Sequence, residues 1–303
     1  MRRYTLRQLD TFLEVARQLS ISRAAAALHI SQPAVSMQLR QLEDSVGMPL
    51  YEQIGRKIQL TDAGHEVAHY ALAASAELKQ LEDALAARRG IRKGRVDLAM
   101  VSTAKYFVPM LLVLFRKKFP DITVTLQIHN RDSIMQLLVR NEVDLVIMGR
   151  APDSIDCVAC AFATNPLGVI CAPGHPLSRR RNAPLSILND QEFVVRENGS
   201  GTRHAMERLF GEHDIHPRVV MEMPSNETIK QAVMAGMGMS FISLRTIRQE
   251  LASGHLVLVD IAGLPIVRHW HITHLAAKRL SPAASVFKAF IVEEAAFLIR
   301  SWA

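Results

Sequence analysis

Gln32, Ser36 and Arg40 recur at four-residue spacing and bring an amide, a hydroxyl and a guanidinium to one face of a helix. Such groups suit base edges and the phosphates beside them. The other side carries Val35, Leu39, Leu42 and Val46, spaced as a buried stripe. Ser31 is placed to cap this helix, and Pro33 falls in its first turn, where a missing N–H costs little. Upstream, Ser22 to Leu28 reads as a short Ala-rich helix, with His29 and Ile30 as a tight turn. Two short helices joined by a turn, the second polar on one face, predict a DNA-binding helix-turn-helix. An ordinary helical pair with a solvated face shares this spacing, but the neighbouring cations favour DNA. Arg2, Arg3 and Arg7 precede the unit. Gly55-Arg56-Lys57 sits between Leu50-Tyr51 and Ile58-Gln59-Leu60, as in a β-wing whose tip reaches phosphate or the minor groove. The DNA-contacting candidates are Arg23, Ser31, Gln32, Pro33, Ser36, Gln38, Arg40, Arg56 and Lys57. Gln32, Pro33, Ser36 and Arg40 are expected to read bases, and Arg23 and Arg56 to hold phosphate.

A second polar set lies further on. Ser102, Thr103 and Lys105 follow a strand, Gly149-Arg150 follow another, and Ser200-Gly201-Thr202-Arg203 open a helix. A helix N-terminus with Lys and Arg nearby is an anion site; a plain Ser cap among surface charges is the alternative. Cys157 and Cys160 have CxxC spacing, but with three cysteines and no second CxxC they are expected to be buried thiols on opposite strand faces. His269 and His271 share a strand face without an evident third ligand. Gly236-Met237-Gly238 is only a fragment of a dinucleotide fingerprint. No Ser-His-Asp order, nucleophile elbow or metal cluster occurs, so no catalytic or metal-binding residue is assigned and no enzyme is expected.

The chain that must position these groups has 303 residues, enough for roughly two domains. At 49% hydrophobic and 21% charged it is globular. Its net charge of +7 favours an acidic partner. Residues 1–60 hold eight Lys/Arg and five Asp/Glu, net +3, so DNA binding must rest on where the charges sit. The opening residues lack the apolar stretch of a secretory signal, and no run of about 18 apolar residues occurs. A cytoplasmic protein without a membrane span is expected.

Leu6, Leu9, Leu13 and Ala16 predict a first helix. From Thr61-Asp62 to about Arg89, Val67, Ala71, Ala74, Leu78, Leu81 and Leu85 keep a four-three spacing along a helix of about 43 Å. That is a coiled-coil seam, and it predicts a dimer with two DNA-binding heads. Residues 88–95 are a basic, Gly-broken hinge. Beyond it the pattern alternates: strand Val96–Val101, helix Phe107–Phe119, strand Ile122–Ile128, helix Ser133–Asn141, strand Asp144–Met148. This βαβαβ order predicts a parallel sheet. Around Phe162 to Pro166 the chain is expected to cross into a second α/β unit. Leu244–Ala252 is read as one of its helices, Trp270–Thr273 as the returning strand, and Pro282 to about Ser301 as a last helix.

Ser22 to Ala27, Ser31-Gln32-Pro33-Ala34-Val35-Ser36, Leu42-Glu43, Gly47-Met48-Pro49-Leu50-Tyr51 and Leu60-Thr61-Asp62-Ala63-Gly64 resemble the LysR-type transcriptional regulators. Met37-Gln38-Leu39-Arg40, Val101-Ser102-Thr103-Ala104-Lys105, Met148-Gly149-Arg150 and Ser225-Asn226-Glu227-Thr228 are most similar to the regulators of Calvin–Benson cycle (rubisco) operons. Many members carry Arg after the second Ser of the recognition helix; here it is Met37, as in the rubisco-operon subgroup. The resemblance implies a winged helix-turn-helix over residues 1–60, a dimerising linker helix over 61–90, and an effector domain over 91–303. That domain would be α/β, with two periplasmic-binding-protein-like subdomains, about 91–162 with 267–303, and about 163–266. The effector would lie between them, at Ser102, Thr103, Lys105, Arg131, Gly149, Arg150, Ser200, Gly201, Thr202, Arg203, Asn226 and Glu227. The implied function is activation of carbon-fixation genes in response to a small anion: a phosphorylated sugar, phosphoenolpyruvate or NADPH. No cofactor is expected. The expected partners are promoter DNA, further copies of the chain as a dimer of dimers, and RNA polymerase. A regulator of another operon, such as aromatic catabolism, and a solute-binding receptor are the alternatives.

Overall fold

The computed structural model describes residues 4–54, 57–88, 94–149 and 154–301, in two units that meet near Arg89. Arg2, Arg3, Arg56, Arg150 and the centre of the basic hinge lie outside the described residues.

In the first unit, α1 (Leu6–Gln18), α2 (Ile21–Leu28) and α3 (Gln32–Val46) are followed by an antiparallel hairpin and a long helix. The hairpin strands are β1 (Tyr51–Ile54) and β2 (Lys57–Leu60), and the helix is α4 (Asp62–Arg88). Local chemistry sets the breaks. Thr5 and Gln8 form a capping box at α1, Ser20 caps α2, and Ser31 caps α3 by accepting from the Ala34 N–H. His29 ends α2 in the left-handed region, φ 55°, which turns the chain into α3. Phe12, Val15, Ala24, Val35, Leu39, Leu42 and Leu50 fill the core. A side chain at Gly64 would strike the Leu50 carbonyl, so glycine lets α4 seat against that loop. The seam of α4 divides: Val67 and Ala71 pack inward, while Leu78, Leu81 and Leu85 are exposed.

The second unit begins with β3 (Gly94–Val101), a 3₁₀ turn (Ser102–Tyr106), α5 (Val108–Lys118), β4 (Ile122–His129), α6 (Arg131–Val139) and β5 (Leu145–Met148). β3 runs parallel to β4 and β5, as the βαβαβ pattern requires. Then come β6 (Cys157–Cys171), β7 (Glu192–Arg196), α7 (Gly201–Glu212), β8 (Arg218–Met223), α8 (Asn226–Met234) and β9 (Ser240–Ser243). The chain ends with α9 (Arg248–Ala252), β10 (Val257–Leu258), β11 (Ile266–Leu275) and α10 (Pro282–Ser301). One hydrophobic core lies around β3, β5, α5 and α10; others lie around β7, β9 and α7 and beneath α8.

Three details differ from the sequence reading. β6 is one continuous 15-residue strand rather than a break at 162–166. Pro166 is tolerated because the β9 ladder begins only at Leu167, which leaves one edge of β6 unpaired there. Leu244–Ala252 splits into a 3₁₀ turn (Leu244–Thr246) and α9, since the Thr246 hydroxyl donates to the Ser243 carbonyl and tightens the turn. Cys157 and Cys160 are half-buried rather than buried. Among the described residues no helix is long and apolar enough to cross a membrane, and no cluster of His, Cys, Asp and Glu could hold a metal.

Candidate effector cleft and DNA interface

The two-helix unit leaves a polar face on α3. Gln32, Pro33, Met37 and Arg40 are exposed and Ser36 is half-buried beside them. Gln32 accepts a hydrogen bond from the Ser22 hydroxyl at 3.1 Å, which holds its amide at the start of the helix. Arg23 donates to the Gln18 carbonyl at 2.5 Å and so closes the end of α1. Met37, 56% exposed, puts an apolar side chain among these polar groups, where a thymine methyl would meet it. Gln38 is a correction. It is 8% exposed and accepts from the Thr11 hydroxyl of α1 at 2.5 Å, so it belongs to the core and not to the DNA face. Lys57 lies on β2, the second strand of the wing.

In the second unit, β6 and β11 run antiparallel from the first core to the second. A cleft of about 490 Å³, open to solvent, lies on one face of this pair. Ser102 and Thr103 reach it from the end of β3, Arg131 from the start of α6, and Gly149 from the end of β5. Ser200, Gly201 and Thr202 bring the N-terminus of α7, with Ser200 accepting from the Thr202 N–H. Sequence reasoning thus found six lining residues. It missed Asn130, Asn165, Leu167, Arg196, Arg268 and Trp270.

Arg196 is central to the geometry. It is 3% exposed. It grips Glu197 with Nε (2.7 Å) and Nη2 (2.9 Å), donates from Nη1 to Asn226 Oδ1 (2.6 Å), and reaches Ser102 Oγ from Nη2 (3.0 Å). Asn226 therefore backs the cleft by holding Arg196. Asn226 Nδ2 and Trp270 Nε1 are buried without an acceptor among the described residues. Gly199 has φ +83°, and a side chain there would press on Asp132; its carbonyl accepts from the Asp132 N–H at 3.3 Å.

Lys105, Arg203 and Glu227 are corrections, since none lines the cleft. Lys105 stands 5.2 Å over the Tyr106 ring. Arg203 turns to Glu207, one helical turn on, at 2.5 Å. Glu227 accepts from the Tyr106 hydroxyl and pairs with the buried Lys230, both at 2.7 Å. Burial opposes its ionisation, but bonds from Lys230 and Tyr106 prevail and hold its carboxyl below the usual range. Burial, then the Glu227 bond, push the Tyr106 phenol well up. The cleft walls therefore carry Arg131, Arg196 and Arg268, two helix N-termini and no carboxylate among the described residues. Such a surface binds anions; it offers no nucleophile–base pair.

Residues 6–65 match the bacterial regulatory helix-turn-helix protein, lysR family, and residues 89–296 match the LysR substrate binding domain. The chain is 46% identical over 292 residues to a RuBisCO operon transcriptional regulator of Allochromatium vinosum, covering 96% of this chain and 97% of the relative. It is 43% identical over 303 residues to the HTH-type transcriptional regulator CfxR of Cupriavidus necator, covering 100% of this chain and 96% of the relative. The solved regulatory domain of Synechocystis PCC6803 CcmR, in complex with 2-PG, is 41% identical; the match covers 67% of this chain and 99% of that one, with a TM-score of 0.63. Winged head, long helix and arginine-walled α/β cleft agree with these matches: the chain belongs to the LysR family of transcriptional regulators.

Proposed function

We propose that this chain is a sequence-specific regulator of carbon-fixation genes, switched by a small phosphorylated or carboxylated metabolite held in the cleft. The observation that carries the reading is a cleft with three arginines and no carboxylate in its described walls. Arg131 and Arg268 would supply charge, Ser102 and Thr202 hydroxyls, and the N-terminus of α7 its dipole. Trp270 Nε1 and Asn226 Nδ2 are donors in want of an acceptor. The 41% identical CcmR domain is titled as a complex with 2-PG, which supports a compact anion. On the DNA side Gln32, Ser36 and Arg40 would read bases, with Met37 against an apolar base edge. The exposed Leu78, Leu81 and Leu85 of α4 support dimerisation along that helix, with the dimer of dimers built on it. Closure on the ligand would change the spacing of the heads.

Isothermal titration of the full chain with 2-PG, phosphoenolpyruvate, ribulose bisphosphate and NADPH tests the cleft. One of them is expected to bind, and Thr202→Val to weaken it. If none binds, the carbon-metabolite reading fails.

A further inference from the structure

The strands that floor the cleft have a second face. In the antiparallel register Arg268 pairs with Asn165 and Trp270 with Ala163, while His269 pairs with Thr164. Paired residues share a face and successive ones alternate. Arg268, Asn165 and Trp270 line the effector cleft. His269 and Thr164 therefore point to the back. There a separate hollow of about 500 Å³ is lined by Ala161, Phe162, Thr164, Arg245, His269 and Ile299, with Ala163 between.

Its polar groups lack work within the chain. Arg245, on the tight turn after β9, donates from Nη1 to the Ile299 carbonyl at 3.5 Å, the limit of a hydrogen bond. Its Nε is buried without an acceptor among the described residues. The side-on Nε/Nη2 edge, the one that grips carboxylate or phosphate in two parallel bonds, is thus unused there. No ion pair joins Arg245 to a described carboxylate, and burial together with Arg248 lowers its pKa, a cost that an anion would relieve. Thr164 and His269 add convergent donors, and Ala161, Phe162 and Ile299 supply apolar wall.

We propose that this hollow is a second ligand site, separate from the effector cleft, for a small organic anion. Its carboxylate or phosphate sits on the side-on edge of Arg245 with Thr164 and His269 beside it, and a short apolar body lies against Ala161 and Ile299. Because the same two strands carry both sites, occupancy at the back is read at the front: an anion that alters their bend alters affinity in the cleft, and the reverse.

Trifluoroacetate, an anion with an apolar body, is the probe, followed by ¹⁹F NMR on the full chain. The wild-type chain is expected to broaden and shift the signal saturably. Arg245→Met, which keeps the bulk and removes the charge, is expected to abolish that component, while Thr202→Val in the cleft leaves it. Thr164→Val, isosteric at a solvent-facing strand position, is expected to weaken binding about threefold, and it decides the matter if Arg245→Met does not fold. Isotherms that superimpose for wild type, Arg245→Met and Thr164→Val overturn the site. So does loss of the whole signal in Thr202→Val. Neither result bears on whether the cleft binds its own metabolite.

Discussion

Replacing Arg131 with Met separates ligand binding from folding. Its side chain is 23% exposed at the mouth of the cleft. Its partners within the chain are weak: Met135 Sδ at 2.8 Å, and Asp132 only at 4.0 Å. A unit charge about 4 Å from a bound anion, at an effective dielectric near 20, gains about 4 kcal/mol. Desolvation returns roughly half, which leaves ~2 kcal/mol, or about 30-fold in Kd. Stability should change by less than about 0.5 kcal/mol, because no strong bond is lost. The assay is titration calorimetry with the best-binding metabolite, at two salt concentrations, beside a thermal melt. Binding about 30-fold weaker at an unchanged melting temperature is expected, with the wild-type advantage shrinking as salt rises. Equal affinity for both proteins would refute the placement of this charge at the ligand. A variant that melts much earlier would refute the claim that Arg131 serves the ligand and not the fold.

Arg196→Met should behave oppositely. It leaves Glu197 and Asn226 without their partner, costing about 3 kcal/mol and roughly 6–12 °C of melting temperature, and a melt within about 1 °C of wild type would contradict the bonding described. Gln38→Ala should destabilise the head by about 1–2 kcal/mol by stranding the Thr11 hydroxyl, whereas Ser36→Ala should keep the melt and weaken operator binding roughly tenfold in a gel shift. His274 donates from Nδ1 to the Leu275 carbonyl and accepts at Nε2 from Lys288 Nζ at 3.1 Å, so the fold needs its neutral form. Burial first, then Lys288 and Lys278, hold its pKa below the ordinary 6.5. Its contribution is therefore complete above about pH 6.5 and is lost as pH falls through the depressed value; His274→Gln should flatten that part of the melting-versus-pH curve.

The head was legible because its signals are local: the caps Ser31 and Gly47, the turn at His29, and the stripe of Val35, Leu39 and Leu42. Gln38 could have been placed too. It lies three residues after Val35 and four before Leu42, on the buried side, so periodicity outranks its amide. The cleft was half legible. Ser102, Gly149 and Ser200–Thr202 sit at strand ends and a helix start, positions that order along the chain reveals. Arg196, Arg268 and Trp270 carry no local mark. They meet the others only because β6 and β11 cross between the cores, a product of register rather than spacing. Lys105, Arg203 and Glu227 misled because each has a nearer partner of opposite charge or an aromatic ring, and Coulomb attraction at short range turned them away.

The central claim is that an anion in the cleft changes how the heads sit on DNA. A DNase footprint upstream of the chain's own gene, with and without 2-PG, phosphoenolpyruvate, ribulose bisphosphate and NADPH, tests it most directly. A protected pseudo-palindrome is expected, with hypersensitive cleavage at a bend and with one metabolite shortening the footprint or removing the bend; Thr202→Val should blunt that response. Protection that is identical with every metabolite would contradict the account.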